Sequence, residues 1–292
     1  MILILSVWLF VGTETKKTTF LSSDNQIMGK RTFDYQSVIN SIEAKSFYVY
    51  DLTENKALFA KNEHDKLPLA SITKLMSGLV VWDIMPHSSS VTITNDDIAL
   101  EGDSGLSVGE KWKLKDLLDF SLMSSSNDGM HAIASALNYY EAVNNKDTVE
   151  IMNQKATSMG LKDTVFINET GLDVNDTMAG AYSSAYDISL LLKNIIEEEP
   201  GLISSTSRPE ENFVSESNIK HSAINTNTSI GQIPGLIASK TGYTDLAGGN
   251  LAVVFDAGFM HPIAIVVLGS TIEGRFSDVV KLERITLEKL SE

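Results

Sequence analysis

Hydrophobic and polar positions along this chain follow two different rhythms. Towards either end, short apolar runs are bounded by turn-forming residues, the pattern of strands. Ser46–Leu52 (SFYVYDL) and Ala57–Lys61 (ALFAK) flank the polar segment Thr53–Lys56, and their aromatic and β-branched content predicts a hairpin. Asn250–Phe255 and Pro262–Leu268 are a second pair of strand-like runs, joined across Ala257 and Gly258. Between these pairs the apolar spacing is helical. Pro68 precedes an apolar stretch, Ile72–Met85, with Leu75, Leu79 and Trp82 at helical intervals and Pro86 as its stop. Leu114–Met123 and Gly129–Leu137 read as two helices around the polar knot Ser124–Asp128, and Ser184–Ile196 reads as another. Residues 203–230, rich in Ser, Asn and Glu, read as a long loop. An amphipathic helix follows the last strand, with Val279, Leu282, Ile285 and Leu290 on one side. Strands at both ends around a helical middle predict an α+β fold, its sheet built from the two terminal parts and covered by helices.

Composition narrows the chemistry. With 292 residues, 43% of them hydrophobic, the chain can bury one large core or two modest ones. It contains no cysteine, which excludes disulfides, thiolate metal sites and cysteine nucleophiles. Its 23 basic against 38 acidic residues give a net charge of −15, which repels phosphate backbones, so no nucleic-acid partner is expected. The histidines (His64, His87, His131, His221, His261) lack metal-binding spacing, so a metal site is not expected, and no phosphate-cradling glycine loop is present. Met1–Gly12 (MILILSVWLFVG) is apolar but shorter than the roughly 20 residues a membrane span needs. Its length suits the apolar part of a secretory signal. Residues 1–30 are therefore expected to be a signal or membrane-tether segment and linker, ahead of a domain over residues 31–292, which places the protein outside the cytoplasm.

Three short motifs carry the chemistry. Ser71-Ile72-Thr73-Lys74 is Ser-x-x-Lys at the start of a predicted helix, where residues three apart share a face. A serine hydroxyl needs a base to become a nucleophile, and a desolvated lysine can serve. The helix N-terminus adds N–H groups where negative charge develops. Ser125-Ser126-Asn127 is Ser-x-Asn in the knot between two helices, supplying a hydroxyl to relay protons and an amide to hold a substrate carbonyl. Lys240-Thr241-Gly242 stands before an apolar strand; its Lys and Thr can bind a carboxylate, and Gly lets substrate backbone lie against a strand edge.

Singly these motifs are weak. Ser217–Lys220 repeats Ser-x-x-Lys within a polar stretch, and Ser23–Asn25 repeats Ser-x-Asn ahead of any nucleophile. Gly102-Asp103-Ser104-Gly105 matches the tetrapeptide around the nucleophile of trypsin-like proteases, but without a histidine in a suitable context it reads as a surface turn. Order, spacing and local context together single out the set at 71, 125 and 240.

That set resembles the signature of penicillin-binding proteins and serine β-lactamases. The surrounding text is similar to the low-molecular-mass D-alanyl-D-alanine carboxypeptidases, through Pro68–Met76, Ser125–Asp128, Thr164–Leu172, Ser184–Asp187, Asn225–Asn227 and Lys240–Asp245. The resemblance covers about residues 45–290. It implies a β-lactamase/penicillin-binding-protein-like fold, an antiparallel sheet flanked by helices beside an α-helical subdomain, with the site between them. It implies removal of the terminal D-alanine from peptidoglycan stem peptides through an acyl-serine, without cofactor or metal, and covalent inhibition by β-lactam antibiotics. It implies Ser71 as nucleophile, Lys74 as its base, Ser125 in proton transfer and Asn127 in substrate positioning. Lys240, Thr241 and, in a register one residue out, Arg275 would bind the substrate carboxylate. Gly242 would flank the substrate, and the N–H groups of Ser71 and Tyr243 would form the oxyanion hole.

The departures are also informative. Ser126 stands where the family has glycine, adding a hydroxymethyl group to a tight loop that is expected to alter fit. The β-rich second domain of many relatives is expected to be absent, which would leave any membrane attachment to the N-terminus. A D,D-endopeptidase would use the same groups. A β-lactamase would need a Glu-x-x-Leu-Asn loop, where this chain has Asn168-Glu169-Thr170-Gly171, and a non-catalytic binding protein would be expected to lack Ser71 or Lys74.

Overall fold

The computed structural model describes residues 33–140 and 146–292, so the predicted signal or tether segment lies outside the described residues. The first half holds α1 (Tyr35–Asn40), β1 (Ser46–Asp51), β2 (Lys56–Lys61), β3 (Leu67–Pro68), α2 (Lys74–Ile84), β4 (Ser90–Thr92), β5 (Lys111–Lys113), α3 (Leu114–Ser124) and α4 (Asn127–Tyr140). The second holds α5 (Thr148–Ser158), β6 (Val165–Phe166), β7 (Ala181–Ser183), α6 (Ala185–Glu198), β8 (Glu210–Val214), β9 (Lys220–Ile224), β10 (Leu236–Thr244), β11 (Gly248–Asp256), β12 (Pro262–Ser270) and α7 (Gly274–Leu290).

Both predicted strand pairs form, and they join one antiparallel sheet of order β10-β11-β12-β1-β2. The early and late parts meet where β1 pairs with β12, Tyr48 opposite Val266. Alternation along the strands divides their side chains between two faces. Tyr48, Tyr50, Val254, Ala264 and Val266 enter the main core with the helical subdomain, where α6 packs on β1 and β12. Phe47, Val49, Val253 and Ile265, equally buried, point to the other face, and α7 packs along β11 and β12. This double cover explains why β1 is buried along its whole length. The α+β architecture expected from the pattern is the one observed.

Helix α2 is the hub of the helical part. It packs against α3, α4, α5 and α6, so nearly every side chain from Leu75 to Trp82 is buried, and its apolar residues run all round rather than along a stripe. Buried polar side chains tie the layers together. Asp278 of α7 accepts from the N–H groups of Glu43 (3.0 Å) and Ala44 (2.9 Å) and from the Ser270 hydroxyl (2.7 Å), fixing α7 to the entry of β1.

One expectation needs correction. Residues 203–230 are not one long loop: β8 and β9 form a hairpin, flanked by short 3-10 turns. Only alternate side chains of this hairpin are covered, with Phe213 and Ala223 reaching the core, so its polar composition hides its strand character. Lys240-Thr241-Gly242 does precede the predicted apolar strand, β11, and lies itself within a strand, β10, at the sheet edge. Helix α5 has no counterpart in the sequence reading; Asp147 caps it by accepting from the Glu150 N–H at 2.7 Å.

Candidate active site

The chain reaches Ser71 through a strained turn. After β3, Ala70 takes a φ of +48°, left-handed backbone that a non-glycine residue enters at a cost. Ser71 then sits in the 3-10 turn Ala70–Thr73, directly ahead of α2 rather than inside its first turn. Three groups hold the turn. The fully buried Asn250 of β11 donates to the carbonyls of Pro68 (2.9 Å) and Leu69 (3.0 Å) and accepts from the Gly269 N–H (2.8 Å). Gly171, at φ +82°, lies against the carbonyl of Ala70, where a Cβ would overlap it. Gly242 of β10 passes so close that a Cβ would stand 2.7 Å from the Leu69 carbonyl oxygen and 3.2 Å from the Ser71 nitrogen. The sequence assigned Gly242 to the substrate side; the geometry shows that its bare backbone is also needed for this close approach.

Lys74 is completely buried, and Ser71 is half-buried beside it. The Lys74 Nζ lies 2.8 Å from Ser71 Oγ, 2.6 Å from Asn127 Oδ1 and 2.9 Å from the Thr170 carbonyl oxygen. Burial pulls this amine down to about 7, against the partial support of Glu169 and Asp128. Its partners then decide its orientation. Asn127 Oδ1 and Thr170 O can only accept, so they claim two hydrogens of a neutral amine, and its lone pair faces the Ser71 hydroxyl. Such an amine can take the hydroxyl proton.

The second lysine completes the cluster. Ser125 caps α3 in left-handed backbone (φ +62°), and its Oγ accepts from Lys240 Nζ at 2.7 Å. Lys240 also donates to the Thr241 carbonyl (3.0 Å), which in its charged form leaves one N–H uncommitted. Burial, then repulsion from Lys74 and Arg275, holds Lys240 well below its ordinary range. Thr241 is buried, its hydroxyl 2.5 Å from that of Thr226. Arg275 starts α7 and donates to the Gly242 carbonyl at 2.8 Å, so the structure brings this distant residue alongside β10. Ser239 turns its N–H off the sheet edge to Thr206 Oγ1 (3.1 Å), and the strand's alternation turns the N–H groups of Thr241 and Tyr243 the same way. Tyr243 is half exposed at the mouth of a cavity of about 500 Å³ that Leu172, Asp173 and Thr244 also line. Hydrogen bonds, the close approach at Gly242 and adjacency along β10 thus bring the nine sequence-predicted residues together around β10 and the Ser71 turn.

Asn127, and the neighbouring Ser126, behave differently from expectation. Asn127 was assigned to a substrate carbonyl, but its amide bridges Lys74 and the Glu101 carbonyl (Nδ2 to O, 2.6 Å), leaving one N–H for a ligand. Ser126, the departure expected to alter fit, is buried, and its Oγ accepts from the Gly129 N–H (2.9 Å), capping α4. The sequence reading missed Asn250 and Thr170. Thr170 acts through its backbone, which no side-chain motif records. Ser104, in the protease-like tetrapeptide, lies in a turn whose N–H binds Asp128 (3.1 Å). Among the described residues no cluster of His, Asp and Glu suits a metal ion.

Known proteins resemble this chain in sequence and in fold. D-alanyl-D-alanine carboxypeptidase DacF of Bacillus subtilis (strain 168) is 33% identical over 260 residues, covering 87% of this chain and 63% of its own length. A D-alanyl-D-alanine endopeptidase of Pseudomonas aeruginosa is 31% identical over 250 residues, covering 82% of this chain and 76% of its own length. The chain spans about three-fifths of the length of the curated carboxypeptidases it matches. The crystal structure of penicillin-binding protein D2 from Listeria monocytogenes in its ampicillin-bound form superposes with a TM-score of 0.71 at 25% identity, covering 84% of this chain and 97% of that one. The sequence profile of one family, D-alanyl-D-alanine carboxypeptidase, matches residues 32–271, and the chain belongs to that family.

Proposed function

We propose that this protein removes the terminal D-alanine from peptidoglycan stem peptides, with Ser71 as the nucleophile. The observation that carries the reading is the buried Lys74 amine, 2.8 Å from Ser71 Oγ, with two acceptors placed to claim both hydrogens of its neutral form. In the first step Ser71 Oγ bonds to the carbonyl carbon ahead of the last residue, and its proton passes to Lys74. The negative oxygen lies between the N–H groups of Ser71 and Tyr243. The carbon–nitrogen bond then breaks, and the departing amine takes a proton through Ser125, which Lys240 orients. Water cleaves the acyl-serine and restores the enzyme. Lys240, Thr241 and Arg275 hold the substrate's carboxylate, Asn127 offers its spare N–H to a substrate carbonyl, and Gly242 leaves room beside the peptide. A β-lactam presents the same carbonyl and carboxylate, so it acylates Ser71 as a covalent inhibitor.

The domain over residues 31–292 works outside the cytoplasm, where peptidoglycan lies, with residues 1–30 as its export signal or membrane tether; among the described residues no helix is long and apolar enough to cross a membrane. A fluorescent penicillin is expected to label the parent covalently, with Ser71→Ala abolishing the label; undiminished labelling of the variant refutes the assignment. A second reading is cleavage of peptidoglycan cross-links, favoured by the endopeptidase relative whose length this chain covers more fully than that of the carboxypeptidases. Mass spectrometry of products from a pentapeptide muropeptide and from a cross-linked dimer separates the two: loss of one D-alanine supports the first, and monomers from the dimer support the second.

A further inference from the structure

A short stretch of backbone, Glu169–Gly171, runs against the Ser71 turn and the start of α2. The Glu169 carbonyl accepts from the Ser77 hydroxyl of α2 (2.5 Å), the Thr170 carbonyl accepts from Lys74 Nζ (2.9 Å), and Gly171 packs beneath Ala70. The side chain that anchors this strap points the other way. Glu169 Oε1 lies 2.5 Å from Nδ1 of His131, on α4, and both side chains are largely buried. The other ring nitrogen of His131 faces Asp97, 3.9 Å away, whose Oδ1 is buried without a hydrogen bond.

We infer that His131 and Glu169 are a pair of positioning residues for Lys74: the imidazole pins the carboxylate, the pinned strap holds the Lys74 amine on Ser71, and the pair's net charge sets how readily that amine stays neutral. The inference rests on the reading of Lys74 as the base. Neither side chain reaches Ser71, and neither belongs to the three motifs.

The charge argument has a definite sign. The groups facing His131 are Glu169 from the strap and Asp97 and Asp96 from the neighbouring 3-10 turn. Those bearing on Lys74 are Glu169 and Asp128, which favour its charged form, and Lys240 across the cleft. The hydrogen bond to Glu169 raises His131, against its burial. Burial pushes Glu169 up, but the bonds to His131 and to its own backbone, with the charges of His131 and Lys74, leave it below its ordinary value. With His131 protonated the pair is neutral; with His131 neutral the pair carries one negative charge, which favours the charged lysine and opposes base action. Glu169→Gln removes that charge at every pH and makes Lys74 easier to deprotonate. His131→Gln leaves the carboxylate uncompensated and makes Lys74 harder to deprotonate.

The test is the pH profile of the second-order acylation rate with a chromogenic cephalosporin. The rate falls at low pH as Lys74 gains its proton, and this limb is expected to move down by about half a unit to one unit in Glu169→Gln and up by a similar amount in His131→Gln. Opposite displacements from two halves of one ion pair are not what lost packing produces. Limbs that stay in place, or move the same way, overturn the inference. The Lys74 Cε resonance in 13C-lysine-labelled protein, assigned by its absence in Lys74→Arg, reads the same titration without turnover. If the parent fails to be acylated at Ser71, the proposed function falls, and the resonance still decides the pair by the same two directions. If the Glu169 variant does not fold, His131→Lys takes its place: its fixed positive charge beside Glu169 is expected to leave the limb at or below that of the parent while His131→Gln raises it, and equal upward shifts overturn the inference.

Discussion

Adding one methyl group at Gly242 tests whether contact fixes the gap between β10 and the Ser71 turn. A Cβ built there stands 2.7 Å from the Leu69 carbonyl oxygen, 3.2 Å from the Ser71 nitrogen and 3.3 Å from the Ala70 Cβ. The first two are backbone atoms that cannot rotate away, and the Asn250 amide also holds the Leu69 carbonyl in place. Ordinary contact begins at 3.4 Å, so strand and turn must part by about 0.7 Å. Overpacking of this kind costs roughly 1–3 kcal/mol. The sign is diagnostic, because Gly242 does not have a positive φ, and Gly→Ala in compatible backbone ordinarily stabilises by about 0.4–1 kcal/mol through the unfolded state. Displacing a reacting group by the order of 1 Å can cost about 100-fold in rate. Gly242→Ala is therefore expected to slow acylation by a fluorescent penicillin between about tenfold and 100-fold, and to lower the melting temperature by several degrees. Stopped-flow fluorescence and thermal unfolding measure the two effects. Gly231→Ala is the control, since a methyl there meets nothing within 4 Å. Acylation within about threefold of the parent, at an unchanged melting temperature, would refute the close-approach argument.

Three further changes probe separate links. Lys240→Gln is expected to reduce turnover of a peptide ending in free D-Ala-D-Ala at least about tenfold more than turnover of its amide, because a charge-assisted bond is worth roughly 1.5–3 kcal/mol; equal losses in steady-state kinetics would remove the carboxylate role. Ser126→Ala should cost about 1 kcal/mol in urea unfolding through the lost cap on α4 while leaving the acylation rate near that of the parent, and a large rate loss would place Ser126 in the cleft after all. For Lys74, the folded value of about 7 lies below the ordinary 10.5, so between the two the unfolded chain binds the extra proton and stability rises with pH. The deficit is about 4 kcal/mol at neutral pH. In Lys74→Met it disappears, so the variant's advantage over the parent in urea unfolding should shrink as pH rises from about 7 to about 10; a pH-independent difference would show that the lysine is not held neutral by the fold.

Legibility in the sequence followed the physics of each element. The hairpin of β1 and β2, the pair β11 and β12, and the helices α2, α3, α4 and α6 were visible because each buries a continuous stripe or run of apolar side chains. Strand β10 was not, since its central residues are the polar Lys240 and Thr241, placed there by the site and not by the core. The hairpin of β8 and β9 was hidden because only Phe213 and Ala223 anchor it. Ser71, Lys74, Ser125, Asn127 and Lys240 were legible because chemistry fixes both their type and their spacing. Asn250 was not: it works 179 positions beyond Ser71, through hydrogen bonds to backbone carbonyls. The strap at Thr170 was still less accessible, because its contribution to Lys74 is a peptide carbonyl. Ser126 lies inside a catalytic motif by sequence, but its side chain caps α4, a direction that sequence does not record.

The two lysines explain why a carboxylate at the chain end could matter to the chemistry as well as to binding. Lys74 and Lys240 are both buried, Arg275 adds a third positive charge, and repulsion among them opposes full protonation of the cluster. A carboxylate docking on the free N–H of Lys240 favours the charge there. That charge in turn repels one on Lys74, so docking moves the shared proton away from the residue that must act as base. On the proposed reading, a substrate with a free carboxyl terminus prepares the base as it binds, and an amide does not. Lys240→Gln should then lower kcat for the acid peptide and not only raise KM, since the interaction is made stronger in the step that needs a neutral Lys74. A variant with a raised KM and an intact kcat would separate carboxylate binding from base preparation and leave Lys74 tuned by burial alone.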